Sequence, residues 1–181
     1  MHTLVTGGAG FIGSTLVDRL LADGHTVTVV DDFSSGSHAN LAGATEAHGE
    51  RLRVIEADIR DPEVADRIRA EGAEVVFHLA AQADVRVSVA DPAFDAAVNV
   101  VGSLHVIEGA RLGGARKVVF ASSGGTIYGD PDPADLPVPE THPRHPVSPY
   151  GVAKMVVGEY LEAFRILHGL DYTALALANV Y

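Results

Sequence analysis

A doubly wound parallel α/β sheet with helices on both faces is the fold this sequence predicts, and three observations predict it. Apolar runs rich in β-branched residues alternate with amphipathic stretches along the chain, the pattern of successive βα units. Most of these runs are continuously hydrophobic rather than alternating, as in strands covered on both faces. The first run also passes into the first amphipathic stretch through a turn dense in glycine, Thr6-Gly7-Gly8-Ala9-Gly10-Phe11-Ile12-Gly13.

Taken in order, strands are expected over 2–6, 26–31, 52–57, 74–79, 117–122 and 172–178, and helices over 11–22, 61–70, 92–111 and 149–168. The third helix has Asp91 to cap it and Pro92 at its first position, where a missing N–H costs nothing. Seven of the nine prolines fall between Pro131 and Pro149, so that stretch cannot be regular helix or central strand and is expected as a long surface loop.

Composition narrows the partners. Hydrophobic residues make up 47% and charged residues 20% of the 181, the balance of a soluble domain with a sizeable core. A net charge of -11 counts against nucleic acid and anionic membrane surfaces. No apolar run reaches the roughly 18 residues of a membrane span, and the N-terminal MHTLVTGG has neither a basic leader nor a hydrophobic signal core. Cysteine is absent, so there is no disulfide framework, and the nine histidines lack metal-site spacing. The expectation is a cytoplasmic protein without a metal. His78 is read as a packing or rim residue.

The glycine turn has a specific use. Gly8, Gly10 and Gly13 fit G-x-G-x-x-G, while Gly7, Gly10 and Gly13 fit the wider G-x-x-G-x-x-G. Missing side chains let the backbone turn tightly and approach a pyrophosphate, and the helix beyond offers free N–H groups and a positive dipole end. Asp31 ends the second strand, 18 residues past Gly13, near the spacing of an acid that binds the adenosine ribose. Strand, glycine turn, helix and distal acid together predict a Rossmann-type dinucleotide site, and a carboxylate that repels a 2′-phosphate favours NAD over NADP.

Tyr150-Gly151-Val152-Ala153-Lys154 gives Y-x-x-x-K at the start of the fourth expected helix, where residues four apart share a face. An ammonium beside a phenol favours the phenolate, so Tyr150 is a candidate acid/base. The preceding strand ends in Ser122-Ser123, at the sheet rim where ligands bind in open α/β folds.

With these pieces in place, the sequence resembles the extended short-chain dehydrogenase/reductase family, and within it the UDP-glucose 4-epimerase-like nucleotide-sugar epimerases. The matching blocks are LVTGGAGFIGS (4–14), VDDF (30–33), EADIRD (56–61), VFHLAAQADVRVSV (76–89), NVVGSLHVIE (99–108), ASSGGTIYGD (121–130), SPYGVAK (148–154) and LANVY (177–181). The resemblance implies that Phe11 and Ile12 follow the glycines onto the pyrophosphate. It implies that Asp31, Asp32, Phe33, Ser34, Ser35 and Gly36 hold the adenosine ribose, and that Asp58 and Ile59 flank the adenine. Leu79, Ala80, Ala81, Gln82 and Ala83 would run beneath the cofactor, with Asn99 and Ser122 in support. Tyr150 would be the acid/base and Lys154 the ligand of the nicotinamide ribose, while Ala178 and Asn179 border nicotinamide and sugar nucleotide. The family pattern S-S-S-A-T often has a third hydroxyl where this chain has Gly124, so the active-site hydroxyl comes from Ser122, Ser123 or Thr126, with Ser123 favoured and Thr126 second.

The implied activity is an NAD-dependent 4-epimerase of UDP-sugars, an isomerase working as a homodimer through the helices at 92–111 and 149–168. A 4,6-dehydratase on the same scaffold carries Asp-Glu where this chain has Gly125 and Thr126, which counts against dehydration. A UDP-glucuronate epimerase or decarboxylase, and a non-catalytic NAD-binding module, stand as alternatives. The sequence stops at Asn179-Val180-Tyr181, directly after the last expected strand, so residues 1–181 are expected to be a cofactor domain with a substrate domain beyond 181.

Overall fold

The strands are β1 (His2–Thr6), β2 (Thr26–Asp31), β3 (Leu52–Glu56), β4 (Val75–His78), β5 (Lys117–Ser123) and β6 (Asp171–Leu177). In the computed structural model they form one sheet in the order β3-β2-β1-β4-β5-β6, all parallel. The structure describes residues 1–180; Tyr181, the last residue of the 177–181 block, lies outside them. The strand order reverses between β1 and β4, so their connections leave to opposite faces and open a crevice at the strands' carboxyl ends.

Two cores hold the sheet. On one face α1 (Phe11–Ala22) and α2 (Ala42–His48) place Val17, Leu20, Leu21 and Ala44, with Leu41 just before α2, against Val5, Val27 and Val29. On the other, α3 (Glu63–Glu71), α6 (Ser103–Leu112) and α8 (Pro149–His168) place Val64, Ile68, Val106, Ile107, Val157 and Leu161 against Leu4, Val76, Val118 and Phe120. Burying a side chain such as Phe120 completely is worth about 2–3 kcal/mol. The expectation of strands buried on both faces holds for β1, β2, β4 and β5. β3 and β6 are largely exposed, because each has a strand on one side only.

The helix expected over 92–111 is α5 (Pro92–Ala96), a π-helical turn (Ala97–Gly102) and α6 in series, with Asp91 capping the Phe94 N–H as the sequence predicts. Three short helices were not expected: α2, α4 (Val85–Ala90) and α7 (Gly124–Ile127). The VRVSV of α4 alternates like a strand. Asp84 turns it into a helix by accepting from the Arg86 N–H, and Ser88 bonds the Val85 carbonyl. The expected helix at 61–70 starts at Glu63, because Pro62 occupies the cap position. The proline-rich stretch is a surface loop with one 3-10 turn (Pro133–Asp135), and the Arg144–Glu159 ion pair at 3.1 Å pins it to α8.

Candidate active site

The glycine turn is shaped by close backbone approaches. Gly7 has φ 69° and faces the backbone of Ala80, where a Cβ would come within 2.7 Å of the Ala80 nitrogen. A Cβ on Gly13 would run into the Gly7 carbonyl. Gly10 caps α1 without any side-chain partner and no acid occupies the first turn, so the helix start keeps its N–H groups and dipole for a ligand. Phe11 exposes 67% of its surface there, and Ile12 is exposed as well.

Asp31 organises this turn. One carboxylate oxygen accepts from the Ala9 N–H at 2.9 Å and the other from the Phe33 N–H at 2.9 Å, and the residue is buried. Ala9 is held from the far side too, its carbonyl accepting from Ser37 N at 3.1 Å and Asn40 Nδ2 at 2.8 Å. Phe33 adopts φ 56°, the left-handed region unusual for a side-chain residue, and stacks on His38 with ring centroids 3.8 Å apart.

A cleft of about 590 Å³ opens from this turn across the carboxyl ends of β2, β1 and β4. The structure brings together in its walls Gly7, Gly10, Phe11, Ile12 and Gly13; Asp31, Asp32, Ser34 and Ser35; Asp58 and Ile59; and Leu79 through Ala83. Other expected residues stand outside the walls. Phe33 packs toward the α1–α2 core, and Gly36 lies against Ala9, where a Cβ would meet its backbone at 2.9 Å. Asn99 sits beneath the cleft floor, 1% exposed. Ala178 and Asn179 are exposed, irregular chain after β6 and do not reach the walls. Sequence reasoning missed Arg60 and Phe94. The Arg60 guanidinium binds Asp58, holding that carboxyl below its ordinary range, and lies 5.3 Å from the Phe94 ring, so the two close one end of the cleft.

Ala121 links the cleft to the Tyr150–Lys154 pair, because it lines the wall and its carbonyl accepts from Lys154 Nζ at 3.0 Å. Ser148 caps α8 by accepting from Gly151 N at 3.1 Å, with Pro149 at the first position, and this fixes Tyr150 and Lys154 in the first turn and a half. The lysine nitrogen lies 5.6 Å from the centre of the Tyr150 ring and 4.8 Å from that of Phe120. Burial pulls the Lys154 ammonium down to about 8, with Asp95 pulling the other way. The phenol of Tyr150 departs from the expected lowering. Burial pushes it above its ordinary value and Asp95 adds to this, while the Ser123 hydroxyl pulls it down.

Ser122 and Ser123 end β5, and Thr126 follows in α7 with its hydroxyl oxygen buried and unpartnered. Gly124 has a structural reason to lack the hydroxyl of the related pattern: a Cβ there would come within 2.7 Å of the Ala176 carbonyl in β6. Among the described residues no group of three or more His, Cys, Asp or Glu could hold a metal ion, and no helix is long and apolar enough to cross a membrane.

Fold and site together define a Rossmann-type dinucleotide-binding domain that carries a tyrosine–lysine pair at its rim. The chain belongs to the NAD dependent epimerase/dehydratase family, whose sequence model matches residues 3–181. It is 52% identical over 181 residues to the UDP-glucose 4-epimerase of Mycolicibacterium smegmatis, covering 100% of this chain and 56% of that protein. It is 43% identical over 178 residues to a putative UDP-glucose 4-epimerase of Methanocaldococcus jannaschii, covering 98% and 55%. Among solved structures, UDP-glucose 4-epimerase from Thermotoga maritima with UDP-glucose superposes with a TM-score of 0.92 at 47% identity, covering 100% of this chain and 56% of that one. The UDP-glucose 4-epimerase of Thermus thermophilus, in complex with NAD, gives 0.88 at 40% identity, covering 96% and 54%. The chain thus spans about half the length of these relatives.

Proposed function

We propose that residues 1–181 are the cofactor-binding and catalytic half of an NAD-dependent 4-epimerase acting on UDP-hexoses of the glucose/galactose type. The observation that carries this reading is the hydrogen bond that ties Lys154, one turn after Tyr150 on α8, to Ala121 in the wall of a cleft that also holds the glycine turn and a buried acid. The residues present fit a dinucleotide: the uncapped start of α1 suits the pyrophosphate, the close approach at Gly7 leaves backbone in place of side chains, and Asp31 keeps lone pairs for a ribose diol.

NAD, when bound, would take hydride from C4 of the sugar and give it back. The chain's own part is proton handling and positioning. Tyr150 takes the 4-hydroxyl proton and returns it, and Lys154 bonds the nicotinamide ribose and supplies positive charge beside the phenol. The added positive charge of an oxidised nicotinamide would act against the burial that raises the phenol, bringing it toward the range where a base works near neutral pH. Ser123, with Thr126 second, offers the hydroxyl that holds the sugar oxygen. Asn179 would meet the substrate once the rest of a sugar-nucleotide pocket, supplied beyond residue 181, is folded against β6.

A homodimer is part of this reading. Val152 and Tyr160 of α8 and Val101 of the π-helical turn remain exposed on the two helices named from sequence. Sedimentation of the whole protein that shows only monomer at micromolar concentration removes that part. A cytoplasmic location is supported by the cysteine-free composition.

The test is a panel of sugar nucleotides with the whole protein, read by product chromatography. The expected result is interconversion of UDP-glucose and UDP-galactose at constant NADH absorbance. Dehydration, decarboxylation or stable oxidation with NADH release, and no 4-epimer, overturns the reading.

A further inference from the structure

Asp95 lies on α5 and is 1% exposed, a burial that carboxylates rarely tolerate without strong compensation. Its Oδ1 accepts from Gln82 Nε2 at 3.0 Å and from Asn99 Nδ2 at 2.8 Å. Those two residues also bind each other: Asn99 Oδ1 accepts from the Gln82 N–H at 3.1 Å, and Asn99 Nδ2 donates to the Gln82 carbonyl at 2.9 Å. Gln82 lines the cofactor cleft. On its other side, Asp95 shares a cavity wall with Pro149 and Ala153 of α8, the residues flanking the tyrosine and lysine. The residue thus joins the cleft floor to the helix that carries the catalytic pair.

We propose that Asp95 is a positioning residue for the Tyr150–Lys154 pair, clamping the Gln82–Asn99 turn beneath the cofactor and setting a buried carboxylate against the helix that carries the pair. The inference rests on the reading of Tyr150 and Lys154 given above. Charge balance supports it. The pair is packed among Phe120 and Ser123 of β5, which carry no charge, and His78 of β4, which is buried and neutral. On α4 and its cap the charges are Asp84 and Arg86, which neutralise each other at the surface with a 2.7 Å ion pair. Asp95 is therefore the acid whose field reaches both groups: it opposes the burial that discharges Lys154 and adds to the burial that keeps Tyr150 protonated.

Asp95→Asn separates charge from geometry, because an amide oxygen still accepts from both Gln82 and Asn99. In the whole protein this variant is expected to bind NAD within about threefold of the parent, an effect smaller than the loss of one hydrogen bond. Its pH–rate profile is expected to move to lower pH by about half a unit or more on both limbs, since lysine and phenol each lose a negative neighbour. Asp95→Ala also removes the clamp and is expected to weaken NAD by about tenfold, the scale of a lost charged hydrogen bond. Thermal melts of both variants establish that the comparison is between folded proteins. An unmoved profile in Asp95→Asn, or parental NAD affinity in Asp95→Ala, overturns the proposal. A parent protein that binds no NAD or forms no 4-epimer overturns the functional reading instead.

Discussion

Lys154 donates to the main-chain carbonyl of Ala121 at 3.0 Å, so the ammonium is tied to the end of β5. Anchored in this way, it is buried in a setting that pulls it down to about 8, against 10.5 ordinarily. At neutral pH the folded chain therefore carries a cost for the buried charge, of order 1–3 kcal/mol. Lys154→Met, which keeps the volume and drops the charge, is expected to raise the urea midpoint of the NAD-free protein while abolishing turnover. A lower midpoint would show that the hydrogen bond to Ala121 outweighs desolvation.

Tyr150→Phe is expected to cut turnover by about 10²–10⁴-fold, the usual contribution of a positioned acid/base. NAD affinity should nearly hold, because phenylalanine keeps the ring and loses only the hydroxyl. Calorimetry beside a turnover assay checks both; a variant that loses NAD and activity together would make the tyrosine a binding residue.

Asp31 serves two backbone N–H groups besides any ribose. NAD is expected to bind more tightly than NADP, which presents a 2′-phosphate to that carboxylate. Asp31→Ala should weaken NAD by roughly 1–3 kcal/mol, part of it through a loosened glycine turn. Titration calorimetry with both dinucleotides decides, and tighter NADP would refute the assignment.

The legible parts of this molecule were those with a local signature. All six strands and the helices expected over 11–22, 61–70 and 149–168 lie within a residue or two of their expected bounds, and the 92–111 stretch starts where Asp91 and Pro92 mark it. The residues that line the cleft could be grouped from sequence because a glycine turn, an acid at its distance and a block at 79–83 are each contiguous. Asp95 was missed because its partners are long-range: it meets Gln82 and Asn99 only once α5 is packed. Its one sequence signal is the Asp95–Asn99 spacing, two polar residues on one face of an otherwise apolar stretch. The raised phenol was missed for a related reason, since spacing shows a lysine near a tyrosine but not how deeply both are buried.

Gly124 tests which hydroxyl replaces the one absent from this position. Gly124→Ser is expected to destabilise by about 1–3 kcal/mol, since its Cβ would crowd the Ala176 carbonyl. Ser123→Ala is expected to lower turnover more than Thr126→Ala, because the Ser123 hydroxyl at the end of β5 favours the Tyr150 phenolate. The reverse order would give the role to Thr126, whose buried oxygen has no other partner.

His78 sets an acid limit on the fold. A directed chain of hydrogen bonds runs from Ala80 N to Thr6 Oγ1, on to His78 Nδ1 at 2.7 Å, and from Nε2 to Ser103 Oγ at 2.8 Å and the Asn99 carbonyl at 2.7 Å. The serine gives its one proton to Asn99, so Nε2 must be the donor and Nδ1 the acceptor, which is a neutral ring. Burial, with the Lys154 charge adding to it, pulls His78 down to about 3, whereas in the unfolded chain it titrates near its ordinary 6.5. The unfolded chain therefore binds a proton that the folded chain refuses. The stability this group contributes is intact above about 6.5 and drains away as pH falls toward 3, at up to about 1.4 kcal/mol per pH unit. His78→Asn is expected to be less stable than the parent at pH 7, by about 1–2 kcal/mol for imperfectly replaced buried hydrogen bonds. The variant should then lose less stability than the parent between about pH 6.5 and 4. Urea melts of both proteins across that window measure the two slopes, and equal slopes would mean that other groups set the acid limit.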